Sequence, residues 1–181
     1  KIGAGPSSSH TMGPERACKQ MLLEFKNIKS VVANLYGSLS LTGKGHATDF
    51  AIMLGLSGQD PEYIPIENIS KITKSITTND QILLGNEITI PFKLTQDIIF
   101  NKEFLPFHAN GLKFTAYLNN NSNYTSTFYS IGGGFVVKEE RINAKKKLEI
   151  KCSFPFQVSN AAELLEYCTT ENKKISEIVF E

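Results

Sequence analysis

At 181 residues the chain can bury one sizeable core, or one domain with a smaller lobe. With 41% hydrophobic residues, 19 basic against 18 acidic and a formal net charge of +1, it carries no electrostatic footprint for nucleic acid or an anionic membrane. No apolar run approaches the ~20 residues of a membrane-spanning helix. The three scattered cysteines, Cys18, Cys152 and Cys168, make neither a disulfide framework nor a metal-ligand spacing. Each reads as a small apolar residue, and the set fits a reducing, cytoplasmic compartment.

Near the start, residues 5–14 place Ser7, Ser8, Ser9, His10 and Thr11 between two Gly/Pro breaks. An amphipathic run follows, with Ala17, Met21, Leu22 and Phe25 at near-helical spacing and Glu15, Arg16, Lys19 and Glu24 on other faces. Pro14 is tolerated only in a first turn, so the spacing predicts a helix beginning near Thr11. Capping needs one hydroxyl, and the string offers four. A helix start with spare hydroxyls and free N–H groups suits a phosphate or carboxylate, and His10 could move a proton beside it. The plainer reading is a cap and a turn with a solvated histidine.

Residues 31–41 alternate, with Val31, Ala33, Leu35, Leu39 and Leu41 on one face, and predict a half-buried strand. A Gly-rich turn carrying Lys44 and His46 comes next, then a short apolar helix over 50–56. It is not a Walker A loop, since the glycine spacing and the Lys-Ser/Thr pair are absent. Residues 64–76 read as a helix, 80–92 as one or two strands around Gly85-Asn86, and 97–100 as extended chain. His108-Ala109-Asn110-Gly111 is a turn ahead of a strand over 112–118, and 119–123 is a loop tip whose return strand spans 124–131. Three glycines lead into 135–137. A strand over 148–154, a helix capped by Ser159 or Asn160, and a last helix from Lys173 or Ser176 to Glu181 complete the order. Hairpins mixed with crossovers indicate the α+β class, a mixed sheet with helices packed on one face.

All three histidines sit beside small turn residues rather than inside apolar runs. Converged on one site with hydroxyls, amides and a lysine, they would suit a small carboxylate substrate and proton transfer.

The strings GPSSSHTMGP, GSLSLTGKGHATD, HANGLKFTAY, FYSIGGGFVV and SNAAELLEYC…ISEIV, in this order along the whole chain, resemble the beta portion of the bacterial iron–sulfur-dependent L-serine dehydratases (L-serine ammonia-lyases). Ala109 departs from the proline often found there, a change of turn stiffness more than of chemistry. The family's alpha portion, with the cysteines that hold its four-iron, four-sulfur cluster, has no counterpart in these residues. The resemblance implies one beta domain over 1–181, similar to the allosteric substrate-binding domain of some phosphoglycerate dehydrogenases. It implies an alpha domain or subunit as partner, L-serine as substrate and a homo-oligomeric enzyme releasing pyruvate and ammonia. The cluster and its ligands would lie in the alpha portion, with no metal held by this chain, which would be inactive alone. Applied residue by residue, it points to Ser7, Ser8, Ser9 and Thr11 for the substrate carboxylate, with Lys44 adding charge. His10 or His46 would transfer the proton, and His108 and Asn110 would lie behind them. The alternative function is a regulatory module that binds a small anion or amino acid without chemistry.

Overall fold

Ser7 decides where the chain first becomes regular. Its backbone is extended and its Oγ accepts the His10 N–H at 3.1 Å, so the serine hydroxyl caps a turn that starts one residue later. The computed structural model describes residues 5–60, 63–145, 156, 158 and 160–179. Ser8–Met12 form a π turn that runs directly into α1 (Gly13–Glu24). The helical path therefore begins ahead of the expected start near Thr11, with Pro14 still inside the first turn of the α-helix proper.

Strand β1 (Ile28–Gly37) leads to a short helical turn, α2 (Ser38–Leu41), and a 3-10 turn, Gly43–His46. The expected strand over 31–41 is thus cut at Gly37. Leu39 is buried but Leu41 is 62% exposed, so the period-two pattern persisted by coincidence past the real strand end. Helix α3 (Thr48–Leu56) follows, then α4 (Ile66–Asn79), the hairpin β2 (Gln81–Leu84) and β3 (Ile88–Pro91), and a short α5 (Leu94–Asp97). Strands β4 (Ile98–Phe100), β5 (Asn110–Leu118), β6 (Asn123–Gly132) and β7 (Phe135–Lys138) precede α6 (Glu139–Lys145). Helices α7 (Ala161–Thr170) and α8 (Ile175–Val179) close the described chain. Asn160 is the α7 cap, its Oδ1 accepting from the Glu163 N–H; the strand expected over 148–154, Cys152 and Ser159 lie outside the described residues.

By contacts the chain divides into two compact units, Lys1–Ala144 and Lys145–Glu181. The first holds a five-stranded sheet in the order β4-β1-β5-β6-β7, with β4 parallel to β1 and the other neighbours antiparallel. That is the mixed α+β sheet the sequence indicated. One face presents Val31, Ala33, Leu35, Leu112, Phe114, Ala116 and Phe128 to Ala17, Cys18 and Met21 of α1 and Ile52, Met53 and Leu56 of α3. The other face carries Asn34, Tyr36, Lys113 and Thr115, which are half-exposed. No helix among the described residues is long and apolar enough to cross a membrane.

Seven of the nine α3 residues are buried, so this helix is apolar all round rather than amphipathic. It lies so close to α1 that a Cβ on Gly55 would sit 2.8 Å from the Glu15 carbonyl oxygen and 2.8 Å from Cys18 Cβ. Glu15, which the helical spacing put on an outer face, is consequently buried at 0% exposure.

Gly37 has φ +54° and ψ −127°, a conformation that side chains disfavour, and a Cβ there would meet the Ala109 carbonyl oxygen at 2.4 Å. Gly37→Ala should therefore destabilise the fold by about 2–4 kcal/mol, combining backbone strain with a backbone clash. Urea denaturation of wild type and variant measures it; a midpoint shift within error would show that the strand end relaxes freely.

Candidate functional site

The π turn, the 3-10 turn and the end of β1 meet around one imidazole. His10 is 8% exposed. Its Nδ1 lies 2.8 Å from Ser9 Oγ and its Nε2 3.1 Å from Ser38 Oγ. Its backbone is held as firmly: the N–H donates to Ser7 Oγ, and Thr48 Oγ1 donates to the carbonyl at 2.7 Å. The His46 ring stands against it, with centroids 4.9 Å apart and planes inclined by 48°. Thr11 Oγ1 donates to the His46 carbonyl at 3.1 Å, tying the two turns together. From the sheet side Ser130 Oγ donates to the Ser9 carbonyl at 2.7 Å.

Burial pushes the His10 pKa below its ordinary value of 6.5, the nearby His46 adds to the effect, and hydrogen bonding to the Ser38 backbone opposes it. His10 is thus held neutral at physiological pH, an imidazole that can accept or relay a proton but carries no charge of its own.

The hydroxyls divide by role. Ser9 and Thr11 are committed to internal partners, and Ser7 caps the turn with its Oγ 3.4 Å from Ser9 Oγ. Ser8 is exposed at the head of the helical path, where the first N–H groups have no acceptor from a preceding turn. Lys44 is also exposed, its Nζ 5.4 Å from the Phe100 ring centroid. His108 stands apart from the histidine pair. Its Nδ1 accepts the Asn110 N–H at 3.0 Å, an arrangement that stiffens the turn. Asn110 reaches further, since its Nδ2 donates to the Ser130 carbonyl at 3.2 Å, and Ser130 is the residue that holds Ser9. Its Oδ1 is buried without a partner.

Ser38, Thr48 and Ser130 were invisible as site residues from sequence. Each meets the His10 string across 28, 38 or 121 positions, and no local pattern distinguishes a hydroxyl that does so.

The sequence profile described as "Serine dehydratase beta chain" matches residues 1–141. The chain belongs to the serine dehydratase beta chain family. Among its relatives, L-serine dehydratase TdcG of Escherichia coli K12 is 40% identical over 183 residues, which cover 97% of this chain and 40% of that protein. The L-serine dehydratase of Haemophilus influenzae is 36% identical over 190 residues, covering 100% and 41%. That of Streptomyces coelicolor is 35% identical over 190 residues, covering 99% and 41%. This beta chain therefore spans about 40% of the length of the curated relatives it matches.

The iron–sulfur cluster implied by the family resemblance can be tested against the donors of this beta chain. Cys18 is buried between α1 and α3 with its thiol directed to the Ile52 carbonyl, and burial raises its pKa well above the ordinary value. Cys168 lies on α7 in the other unit, and no group of three His, Cys, Asp or Glu among the described residues is placed to hold a metal. The donors among the described residues do not fit a cluster. A separate cleft of about 410 Å³ lies beside the C-terminal part of α1 and is lined by Leu22, Phe25, Ile28, Leu84 and Ile88 among others. Its walls also carry Lys19, Lys26, Asn27 and Glu87 and contain none of the groups around His10.

Proposed function

We propose that this chain is the beta portion of a cytoplasmic L-serine ammonia-lyase, which converts L-serine to pyruvate and ammonia. An alpha portion, on the same chain or a second one, would complete the site and hold the four-iron, four-sulfur cluster. The observation that carries this reading is the His10–His46 ring contact at the head of the hydroxyl string, 4.9 Å between centroids. Two residues 36 positions apart are brought together by the meeting of two turns.

The chemistry that falls to this chain runs through its own side chains. The Ser8 hydroxyl and the first N–H groups of the π turn receive the substrate carboxylate, and Lys44 adds positive charge from the neighbouring turn. His46, half-exposed, takes the proton from the serine α-carbon. The electrons left behind form the Cα–Cβ double bond as the β-hydroxyl takes up a proton and departs as water, giving an enamine. Transfer of one proton to Cβ converts it to an imine, and water releases ammonia and pyruvate. His10 stays neutral beside His46 and fixes where that ring stands.

The carboxylate assignment has its own test. Ser8→Ala and Lys44→Ala in the full-length enzyme should each raise KM for L-serine about tenfold, with kcat nearly unchanged, as expected for groups that hold ground and transition states alike. Steady-state kinetics measures both constants. An unchanged KM in both variants would remove these residues from the carboxylate site.

A further inference from the structure

We infer that Ser38 is a positioning residue for proton transfer: its hydroxyl, opposite that of Ser9, clamps the His10 ring so that His10 presents a fixed face to His46. The inference rests on the reading that this histidine pair serves proton transfer, and it adds a residue that neither the family match nor the sequence motifs assign.

The clamp is built from both sides. Ser38 directly follows Gly37, whose left-handed backbone turns the chain sharply out of β1. The Ser38 N–H donates to the Ala109 carbonyl at 2.8 Å, and its carbonyl accepts both the Thr42 N–H at 3.0 Å and Thr42 Oγ1 at 2.9 Å. With its backbone bonded on both sides, the hydroxyl is delivered to His10 Nε2 by the fold and not by a freely moving loop. His10 is fixed in the same way through Ser7 and Thr48. Its two ring nitrogens are then occupied by Ser9 and Ser38, leaving neither for a substrate. A ring held at both nitrogens cannot rotate about its side-chain bonds, and the 48° inclination to His46 becomes a built-in angle. His46 is the half-exposed member of the pair, so the clamp on His10 determines the wall against which His46 stands.

The experiment uses the full-length, cluster-loaded enzyme as wild type, Ser38→Ala, Ser38→Thr and His46→Ala. Steady-state kinetics is run alongside thermal unfolding. Ser38→Ala should lower kcat about tenfold or more with KM within about twofold, as for lost positioning in the transition state. Ser38→Thr, which keeps a hydroxyl, should recover much of the lost kcat. A purely structural serine would lower the unfolding temperature and leave kcat of the folded enzyme in place, which would overturn the inference. Normal turnover in Ser38→Ala while His46→Ala is inactive overturns the Ser38 assignment alone. Normal turnover in His46→Ala removes the proton-transfer reading itself, and the Ser38 role with it.

Discussion

His46→Ala in the full-length enzyme should cut kcat by about 10²–10⁴-fold while KM for L-serine changes little, because a positioned base acts on the transition state alone. That range corresponds to about 3–5 kcal/mol of lost transition-state stabilisation. His10→Ala should also lower kcat more than it raises KM, since it removes the ring against which His46 rests. The two variants differ in their cost to the fold. His46 contributes a ring face and a carbonyl bond that survives the substitution, whereas His10 bridges Ser9 and Ser38 with both nitrogens. His10→Ala should therefore also lose about 1–2 kcal/mol of stability, two side-chain hydrogen bonds at a buried site. The pH dependence has a definite sign. With its folded pKa held below 6.5, His10 favours the fold above that pH, and the contribution is lost as pH falls and the unfolded chain takes up the proton. Kinetics of the cluster-loaded variants with parallel thermal unfolding separates the two effects. Near-normal kcat in both variants would sink the assignment of the pair to proton transfer.

The parts of this site that sequence could show are those written in consecutive residues. Ser7 to Thr11 stand between Gly/Pro breaks, and His46 stands in a Gly-rich turn, so both stretches are legible in the letters alone. That His10 and His46 face each other follows from the crossing of two turns, which a string of letters does not encode. Ser9 and Thr11, spare if only capping is considered, also hydrogen-bond to the His10 ring and to the His46 carbonyl. Leu41 extended a strand pattern beyond Gly37 because alternation reports side-chain polarity, whereas the chain at Gly37 turns against Ala109, 72 positions away, so closely that only glycine fits. Glu15 shows the same limit from the other side. One-face spacing assumes a helix with one buried stripe, but α1 is covered both by the sheet and by α3, so an acidic residue outside the stripe ended inside.

That buried carboxyl leads to the second large effect. Glu15→Gln should abolish a fall in stability that the wild type undergoes between about pH 4.5 and pH 7. Glu15 is fully buried and neither carboxylate oxygen has a hydrogen-bond partner. Burial pushes its pKa from 4.5 up to about 7; Asp60 pushes the same way, and Lys19 and Arg16 pull back without prevailing. Gly55 lets α3 approach so closely that any larger residue there would strike the Glu15 backbone. The sign follows from linkage. Below pH 4.5 the carboxyl is protonated in both folded and unfolded chains, and the fold carries no penalty from its charge. As pH rises the unfolded chain ionises first, so stability falls until the folded group also ionises near pH 7, and is flat above. A shift of that size, which already includes the nearby charges, corresponds to about 3 kcal/mol at ~1.36 per unit. Glutamine keeps the shape and cannot ionise, although its amide retains the cost of an unpaired buried polar group. Glu15→Met, of similar volume and apolar, removes that cost as well and should be the more stable of the two at every pH. The measurement is the urea midpoint of wild type and both variants at pH 5 and pH 8. Other groups, His10 among them, titrate in the same window, so the quantity that isolates Glu15 is the variant-minus-wild-type difference at each pH. It should be larger at pH 8 than at pH 5 for both substitutions. A difference that is the same at the two pH values would show that Glu15 is ionised in the fold from low pH onward, with a partner for its charge.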